Sequence, residues 1–176
     1  MNGKLLPLEE LADRCRKLRE RGRRVVLTNG CFDLLHVGHV RLLRQARELG
    51  DALVVALNSD ESVRALKGPA RPIVLAAERA EVLAGLTSVD YVTIFPELTA
   101  ERVVSVLRPD CYVKGGDYTA ARKAVPEAEI VVEYGGLVVF LDFEAGAGTT
   151  AIIQTILRRG REGLFSPRRE MAPLWR

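Results

Sequence analysis

Two histidines, the only ones in a chain of 176 residues, lie three positions apart shortly after an apolar segment. His36 and His39 end the sequence Asn-Gly-Cys-Phe-Asp-Leu-Leu-His-Val-Gly-His, with Gly30 near its start and Gly38 between the imidazoles. Residues three apart share one face of a helix, and a helix N-terminus offers unpaired N–H groups and a partial positive charge. Imidazoles there can donate hydrogen bonds to phosphate oxygens, and glycine lets backbone approach a ligand closely. The pattern therefore predicts a phosphate-binding site at the start of a helix.

Residue types alone leave two other interpretations of the histidine pair open. The imidazoles could be structural, one capping the helix and the other half-buried, or they could belong to a zinc site. The sequence offers no third zinc ligand close to the pair. The position of the pair between an apolar strand and a helix favours phosphate binding.

The segments around the histidines predict a unit of strand, helix and parallel strand. An apolar strand over 24–28 precedes the pair, a helix over 40–49 follows it, and a second apolar strand spans 52–57. The hydrophobic pattern also predicts helices over 7–21, 60–66, 76–86, 99–107 and 149–160, and strands over 90–95, 111–114, 129–133 and 137–141. Short apolar strands that alternate with helices are typical of an α/β fold with a mainly parallel sheet.

Three further segments contain residues that could bind phosphate or another part of a ligand. Lys67 and Arg71 lie in a loop with glycine and proline that could bring a cation to a triphosphate. Segment 114–118 ends a predicted strand, at the edge where open α/β sheets bind ligands. Segment 148–150 begins the last predicted helix and forms a second candidate phosphate cradle. Each segment also has a structural interpretation, as a solvated loop, a tight turn or a helix cap.

Length and composition limit the kind of protein. A chain of 176 residues suffices for one main domain, predicted over 24–160, with an N-terminal helix over 1–23 and a flexible tail over 161–176. The net charge of +3 disfavours a general nucleic-acid binder. Three well-separated cysteines favour a reducing cytoplasm over a disulfide framework. No apolar stretch reaches the ~20 residues of a membrane span, and no signal-peptide core is present.

The ordered motifs resemble those of one family, the D-glycero-β-D-manno-heptose 1-phosphate adenylyltransferases. Thr-Asn-Gly-Cys-Phe-Asp, Asn-Ser-Asp and Lys-Gly-Gly-Asp-Tyr carry this resemblance, which extends over residues 24–159. His-x-Gly-His alone indicates the wider nucleotidyltransferase superfamily, which includes cytidylyltransferases and class I aminoacyl-tRNA synthetases. In many bacteria the family's domain is fused to a sugar kinase. The resemblance implies an α/β, Rossmann-like three-layer sandwich with a mainly parallel five-stranded sheet.

The resemblance also implies a reaction and the residues that carry it. ATP and the heptose 1-phosphate would give ADP-heptose and pyrophosphate by direct in-line attack, with Mg²⁺ held mainly by the phosphates, and the enzyme would be a homo-oligomer. The implied catalytic residues are His36, His39, Lys67 and Arg79. The implied nucleotide-binding residues are Asn29, Gly30, Phe32, Gly38, Lys114, Gly115, Gly116, Gly148, Thr149 and Thr150. The implied substrate-binding residues are Asp33, Asn58, Asp117 and Tyr118.

One departure from the family pattern and two alternative functions bear on this interpretation. Gly148 stands where the family usually has serine, so that a hydroxyl donor is lost while the backbone N–H remains. A cytidylyltransferase for glycerol 3-phosphate or a related alcohol phosphate would use the same residues with a different base and acceptor. A non-catalytic nucleotide-binding module would keep the fold without turnover, although it would not need both histidines, Lys67 and Arg79.

Overall fold

The computed structural model describes residues 3–115, 125–141 and 148–164, which form a parallel sheet with helices on both faces. The helices are α1 (Leu8–Glu20), α2 (Val37–Glu48), α3 (Asp60–Lys67), α4 (Ala76–Ala84), α5 (Glu101–Leu107), α6 (Pro126–Glu133) and α7 (Thr149–Arg161). The strands are β1 (Val25–Gly30), β2 (Ala52–Asn58), β3 (Tyr91–Phe95), β4 (Cys111–Gly115) and β5 (Leu137–Leu141). Within the described ranges, no helix has the length and apolar character needed to cross a bilayer.

The strands lie in the order β3-β2-β1-β4-β5, and every neighbouring pair is parallel. β1 occupies the centre, with β2 and β3 on one side and β4 and β5 on the other. Successive strands are therefore added on one side of β1 as far as β3 and on its other side from β4 onward. In open α/β sheets, such a switch in strand order leaves a crevice at the carboxyl ends of the strands. The loop after β1, together with the start of α2, is therefore delivered to the middle of that edge.

Two apolar clusters hold the helices against the two faces of the sheet. Leu27 of β1 belongs to the cluster that contains buried residues of α1, α5 and α6. Val26, which points to the opposite face, belongs to the cluster that contains buried residues of α2 and α4. Because both faces are covered, the central strands consist of nearly continuous apolar residues. The predicted three-layer α/β fold with a mainly parallel sheet is confirmed.

One predicted element is wrong: the strand expected over 129–133 is part of helix α6. Ile130 and its two valine neighbours favour a strand by intrinsic propensity. The residues before them favour a helix, since Pro126 lies in the first turn and acidic side chains follow it. Glu127 and Val131 are both buried and lie four positions apart, on one face of a helix. Burial of this face against the protein favours the helix over the strand.

The two ends of the chain relate differently to this core. Leu11 and Cys15 of α1 are fully buried in the same cluster as Val25, so the N-terminal helix packs directly on the sheet. At the other end α7 extends to Arg161, and residues 165–176 of the predicted tail lie outside the described residues.

Gly115, the last residue of β4, allows α2 to pack closely against the sheet. A Cβ atom at this position would lie 2.6 Å from Leu42 Cδ2 and 2.8 Å from Leu42 Cδ1. Leu42 follows His39 by three residues in α2, so this contact fixes the part of the helix that carries the histidines. Leu42 therefore fills the space beside the Gly115 Cα, and contact of Gly115 with a nucleotide stays a prediction.

We expect Gly115→Ala to lower the free energy of unfolding by about 1–3 kcal/mol, because the added methyl group must displace Leu42 or move α2 away from β4. Urea denaturation measures the change. Gly160→Ala is the matched control, since no atom lies within 4 Å of the Cβ position in α7 and alanine favours a helix. A Gly115→Ala variant as stable as this control would contradict the close packing.

Candidate active site

A cavity of about 710 Å³ opens at the carboxyl ends of β1, β2 and β4. Its walls come from the loop after β1, the starts of α2, α6 and α7, and the end of α3. Predicted site residues that line it are Asn29, Gly30, Phe32, Asp33, His36, His39, Asn58, Lys67, Lys114, Gly115, Gly148, Thr149 and Thr150. Gly38 is buried within α2, Arg79 lies behind the cavity wall, and Gly116, Asp117 and Tyr118 lie outside the described residues. The sequence therefore predicted most of the lining, whereas contacts with a nucleotide or sugar remain predictions.

The two imidazoles stack on each other at the start of α2. His36 is the N-cap residue with an extended backbone, and His39 lies in the first turn. Their ring centroids are 3.8 Å apart with an interplanar angle of 26°. Both rings line the cavity beside the N-terminus of a helix, as the spacing predicted. The arrangement offers two adjacent hydrogen-bond donors where the helix places its partial positive charge.

Both histidines are neutral at neutral pH in this structure. Burial lowers the pKa of His36, and burial together with the nearby His36 lowers the pKa of His39 to about 4. The buried Nδ1 of His36 has no hydrogen-bond partner among the described residues. Neutral imidazoles still donate one N–H each, and a bound polyanion would favour the protonated form. The site can therefore gain positive charge as phosphate enters.

Phe32 supports the histidine pair from one side. Its ring lies 5.1 Å from the His39 ring, and the residue is buried with a φ of 42°, a left-handed conformation that is uncommon outside glycine. Gly30 leaves room for it, because a Cβ atom there would lie 3.1 Å from Phe32 Cε2. Gly30 therefore leaves room for an aromatic ring, and its contact with a ligand stays a prediction.

Asp33 connects the loop after β1 to the loop that follows α3. Its Oδ1 accepts hydrogen bonds from the backbone N–H groups of Ile73 and Val74, at 2.8 and 2.9 Å, and its Oδ2 accepts one from Arg71 Nε. The Asp33 side chain is 1% exposed and that of Arg71 is 17% exposed. The carboxylate thus holds the loop after α3 in place, and its contact with a substrate stays a prediction.

Arg79 also differs from its expected place. Its side chain is fully buried and donates to Val74 O at 2.8 Å, to Asp60 Oδ1 at 2.7 Å and to Cys31 O. Each guanidinium nitrogen is thus committed to the protein, and none lines the cavity. Contact of Arg79 with a phosphate therefore stays a prediction. Arg79 joins α4 to the start of α3 and to the loop after β1, so it positions the cavity wall.

The sequence analysis missed Glu127, which forms a buried cluster with Lys114. Lys114 Nζ lies 2.7 Å from Glu127 Oε1 and 3.0 Å from Asn29 Oδ1. The Tyr112 hydroxyl lies within hydrogen-bonding distance of both of these oxygens and can donate its one proton to either of them. Burial alone would raise the pKa of Glu127, but the Lys114 ammonium and the hydrogen bonds outweigh it, and the pKa is lowered. Glu127 was missed because its segment was not recognised as a helix, although Pro126 preceding an acidic residue is a helix-start signal.

The remaining predicted residues occupy the rim and the second helix start. Thr149 Oγ1 donates to Leu34 O at 3.3 Å, which ties α7 to the loop after β1. Gly148 is the N-cap residue and supplies no side-chain cap. Asn58 is buried and donates to Ser62 Oγ at 2.9 Å, whereas Lys67 is exposed at the end of α3. The N-termini of α2 and α7 thus face the cavity without an acidic side chain in their first turns, whereas α6 has Glu127 there.

A magnesium site made by protein side chains is not evident in the parts of the chain that the structure describes. These residues contain no group of three or more histidine, cysteine or acidic side chains that could hold a metal ion. The cavity carboxylates of Asp33 and Glu127 are engaged by Arg71 and Lys114. The described side chains therefore do not form a metal cage of their own.

We expect Asp33→Ala to lower the free energy of unfolding by about 3 kcal/mol or more, because it leaves Arg71 and two backbone donors without their acceptor. Urea denaturation measures this change. The matched control is Asp13→Ala, whose ion pair with Arg16 is more than 60% exposed on both sides and contributes at most ~1 kcal/mol. Equal stability losses in the two variants would contradict the role of Asp33.

We expect the NMR signal of His39 to titrate near pH 4, and that of His36 below its ordinary value, in the protein without ligand. A His36→Gln variant assigns the two signals. Because the folded pKa of His39 lies below the unfolded value, the unfolded state binds more protons between about pH 6.5 and 4. Stability should therefore fall as the pH decreases through this range. Titration of both histidines at their ordinary value would contradict the buried, stacked arrangement.

Comparisons with known proteins agree with this geometry. Residues 27–155 match the family model described as cytidylyltransferase-like. The chain is 52% identical over 155 residues to the "Bifunctional protein HldE" of Syntrophotalea carbinolica and of Geotalea uraniireducens, in alignments that cover 88% of this chain and 31% of each relative. The chain thus spans about a third of the length of these curated relatives.

A solved structure gives the same result for the fold. The crystal structure of the lipopolysaccharide core biosynthesis protein from Thermoplasma volcanium GSS1 is similar with a TM-score of 0.56 and 27% sequence identity. The match covers 70% of this chain and 98% of that one. The chain belongs to the cytidylyltransferase-like family, and it is an enzyme of the nucleotidyltransferase class.

Proposed function

We propose that this chain transfers AMP from ATP to D-glycero-β-D-manno-heptose 1-phosphate, giving ADP-heptose and pyrophosphate. The observation that carries the proposal is the stacked pair of neutral imidazoles at the N-terminus of α2, inside a cavity that a second helix N-terminus also faces. The similarity to HldE proteins over most of the chain supports the choice of nucleotide and sugar phosphate.

The chemistry is a direct displacement at phosphorus. A phosphate oxygen of the sugar phosphate attacks the α-phosphorus of ATP, a new P–O bond forms, and the bond from the α-phosphorus to the bridging oxygen of pyrophosphate breaks. The protein's contribution is to position the two substrates and stabilise the charge on the phosphoryl oxygens. His39 and His36 would donate to these oxygens, and Lys67 would approach from the rim.

The arrangement of charge in the cavity agrees with substrates that are polyanions. The N-termini of α2 and α7 carry partial positive charge, and Lys67 has no carboxylate partner within the described ranges. Mg²⁺ would neutralise part of the triphosphate charge and make pyrophosphate a better leaving group. Since the described side chains form no metal cage, we infer that the ion is held mainly by the phosphates.

We infer a cytoplasmic homo-oligomer. The cytoplasm supplies ATP and keeps the three cysteines reduced. Exposed apolar side chains on β5 and on α7 support self-association, because contact with a second copy would remove them from water. These side chains are Leu137, Phe140, Ile156 and Leu157.

The proposed activity predicts formation of ADP-heptose when the protein is incubated with ATP, Mg²⁺ and the β-heptose 1-phosphate, detected by mass together with pyrophosphate. We expect His39→Ala to lower the turnover by ~10²-fold or more, as for the loss of one donor to a developing oxyanion. Gln45→Ala, an exposed residue of the same helix, is the matched control and should leave turnover unchanged.

Parallel reactions distinguish the other functions. Turnover with CTP and glycerol 3-phosphate, but not with ATP and the heptose phosphate, would replace this proposal by a cytidylyltransferase, which the description of the family model makes the second candidate. Binding of ATP without turnover on either acceptor would indicate a nucleotide-binding module. Near-normal turnover of a folded His39→Ala variant would remove His39 from the mechanism.

A further inference from the structure

Two groups of residues flank the histidine pair on opposite sides of the cavity. The sheet order places β4 on one side of β1 and β2 on the other. We define the β4–α6 wing as Asn29, Lys114 and Glu127, and the α3 wing as Asn58 and Lys67, all of which line the cavity. Because the histidines follow β1, they lie between the two wings.

The β4–α6 wing contains two opposite charges that cancel. Lys114 Nζ lies 2.7 Å from Glu127 Oε1, and their side chains are 16% and 4% exposed. Tyr112 donates to the same carboxylate oxygen at 2.8 Å, and Asn29 accepts from Lys114 at 3.0 Å. The donors and the acceptor are thus held in one network whose side chains carry no net charge. The Glu127 carboxylate also lies in the first turn of α6, where it offsets the partial positive charge of that helix N-terminus.

The α3 wing differs in net charge. Lys67 is exposed at the end of α3 and has no ion-pair partner in the described parts of the chain. The neighbouring Arg71 is neutralised by Asp33. This wing therefore carries one uncompensated cation.

The two substrates of the proposed reaction differ in the charge of the groups that would contact the wings. The acceptor brings a phosphate dianion next to the α-phosphorus, so it is attracted to the α3 wing. The nucleoside of ATP is uncharged but rich in hydrogen-bonding groups, which match a neutral network of donors and acceptors. An unpaired Lys114 would instead attract phosphate into the place of the nucleoside.

We propose that Glu127 is a specificity-determining residue which neutralises Lys114, so that the β4–α6 wing rejects phosphate groups and accepts the uncharged nucleoside of ATP. This inference rests on the proposed function, since it assumes that ATP and a sugar phosphate share the cavity. It assigns to Glu127 the exclusion of a wrong binding mode, a common source of specificity. It also gives Lys114 a role other than the phosphate contact suggested by its type.

The decisive variant is Glu127→Gln, which keeps the shape of the side chain but leaves Lys114 as an uncompensated cation. We expect this variant to bind inorganic tripolyphosphate about tenfold more tightly than the wild type in calorimetry at 0.15 M salt. Its kcat/KM for ATP should fall about tenfold, because ATP then binds with its phosphates in the wrong wing. The KM for the sugar phosphate should change little.

A second substitution separates charge from structure. In the double variant Glu127→Gln/Lys114→Met, the affinity for tripolyphosphate should return to the wild-type value, because the wing is again neutral. Glu129→Gln is the matched control, since Glu129 is exposed on the same helix and its loss should leave tripolyphosphate binding unchanged. Thermal unfolding checks that each variant is folded. Should Glu127→Gln fail to fold, Glu127→Asp keeps the charge and should retain the weak tripolyphosphate binding of the wild type.

The outcomes for the inference and for the proposed function are distinct. If the wild type forms ADP-heptose but Glu127→Gln binds tripolyphosphate no more tightly, the role of Glu127 is wrong and the function stands. Tighter tripolyphosphate binding by Glu127→Asp would overturn the role of Glu127 in the same way. If the wild type binds neither ATP nor tripolyphosphate, the proposed function itself is wrong. Weaker tripolyphosphate binding by Glu127→Gln would indicate a purely structural role and would also overturn the inference.

Discussion

The close packing of the first turns of α2 against the carboxyl edge of the sheet is the constraint on which the site depends. On one side, Leu42 occupies the space that a side chain at Gly115 would need. On the other, the Phe32 ring lies against Gly30 and contacts the His39 ring. These contacts hold the helix start where the central strand ends. The stacking of the partly desolvated imidazoles agrees with this placement, because residues three apart at a helix start lie on the same side of the helix.

The ionic groups around the cavity are organised by the cost of burying charge. Asp33 is paired with Arg71, Arg79 with Asp60, and Lys114 with Glu127. Removing one member of such a pair would leave an uncompensated buried charge, so each pair constrains the two loops or helices that it joins. The groups left to attract anions are the two helix N-termini and Lys67 at the rim. The cavity is therefore rigid in its walls and only modestly positive before substrates enter, and burial keeps its histidines neutral.

This organisation explains which features the sequence could predict. Local signals identified the strands, the helix that carries the histidines, and the threonines at the start of α7, because apolar runs and helix-start residues act over a few positions. Local signals predicted a strand in place of α6, because Ile130 and the adjacent valines favour a strand. The burial of Glu127 and Val131, which stabilises the helix, arises from tertiary packing.

Local sequence signals could not predict the hydrogen-bond partners of the charged side chains, for a different reason. A residue type indicates that Arg79 can bind phosphate, but its partners come from segments 5, 19 and 48 residues away and occupy every nitrogen. Asp33 is likewise directed by backbone groups about 40 residues further along the chain. Pairing over such distances is set by the topology of the sheet, which a motif does not encode. The sequence consequently predicted which residues line the cavity better than it predicted the hydrogen-bond partners of the charged residues.

Glycine at the N-cap of α7 affects the backbone N–H donors of that helix. Gly148 replaces a serine of the family pattern, and no side chain caps the helix there. A hydroxyl at this position would accept a hydrogen bond from the first turn and so compete with a ligand for its N–H groups. With glycine, these donors stay available to a phosphate oxygen, while Thr149 ties the helix to the loop after β1. Since none of the described residues of α7 is fully buried, an anion bound at its N-terminus would further stabilise the position of this helix.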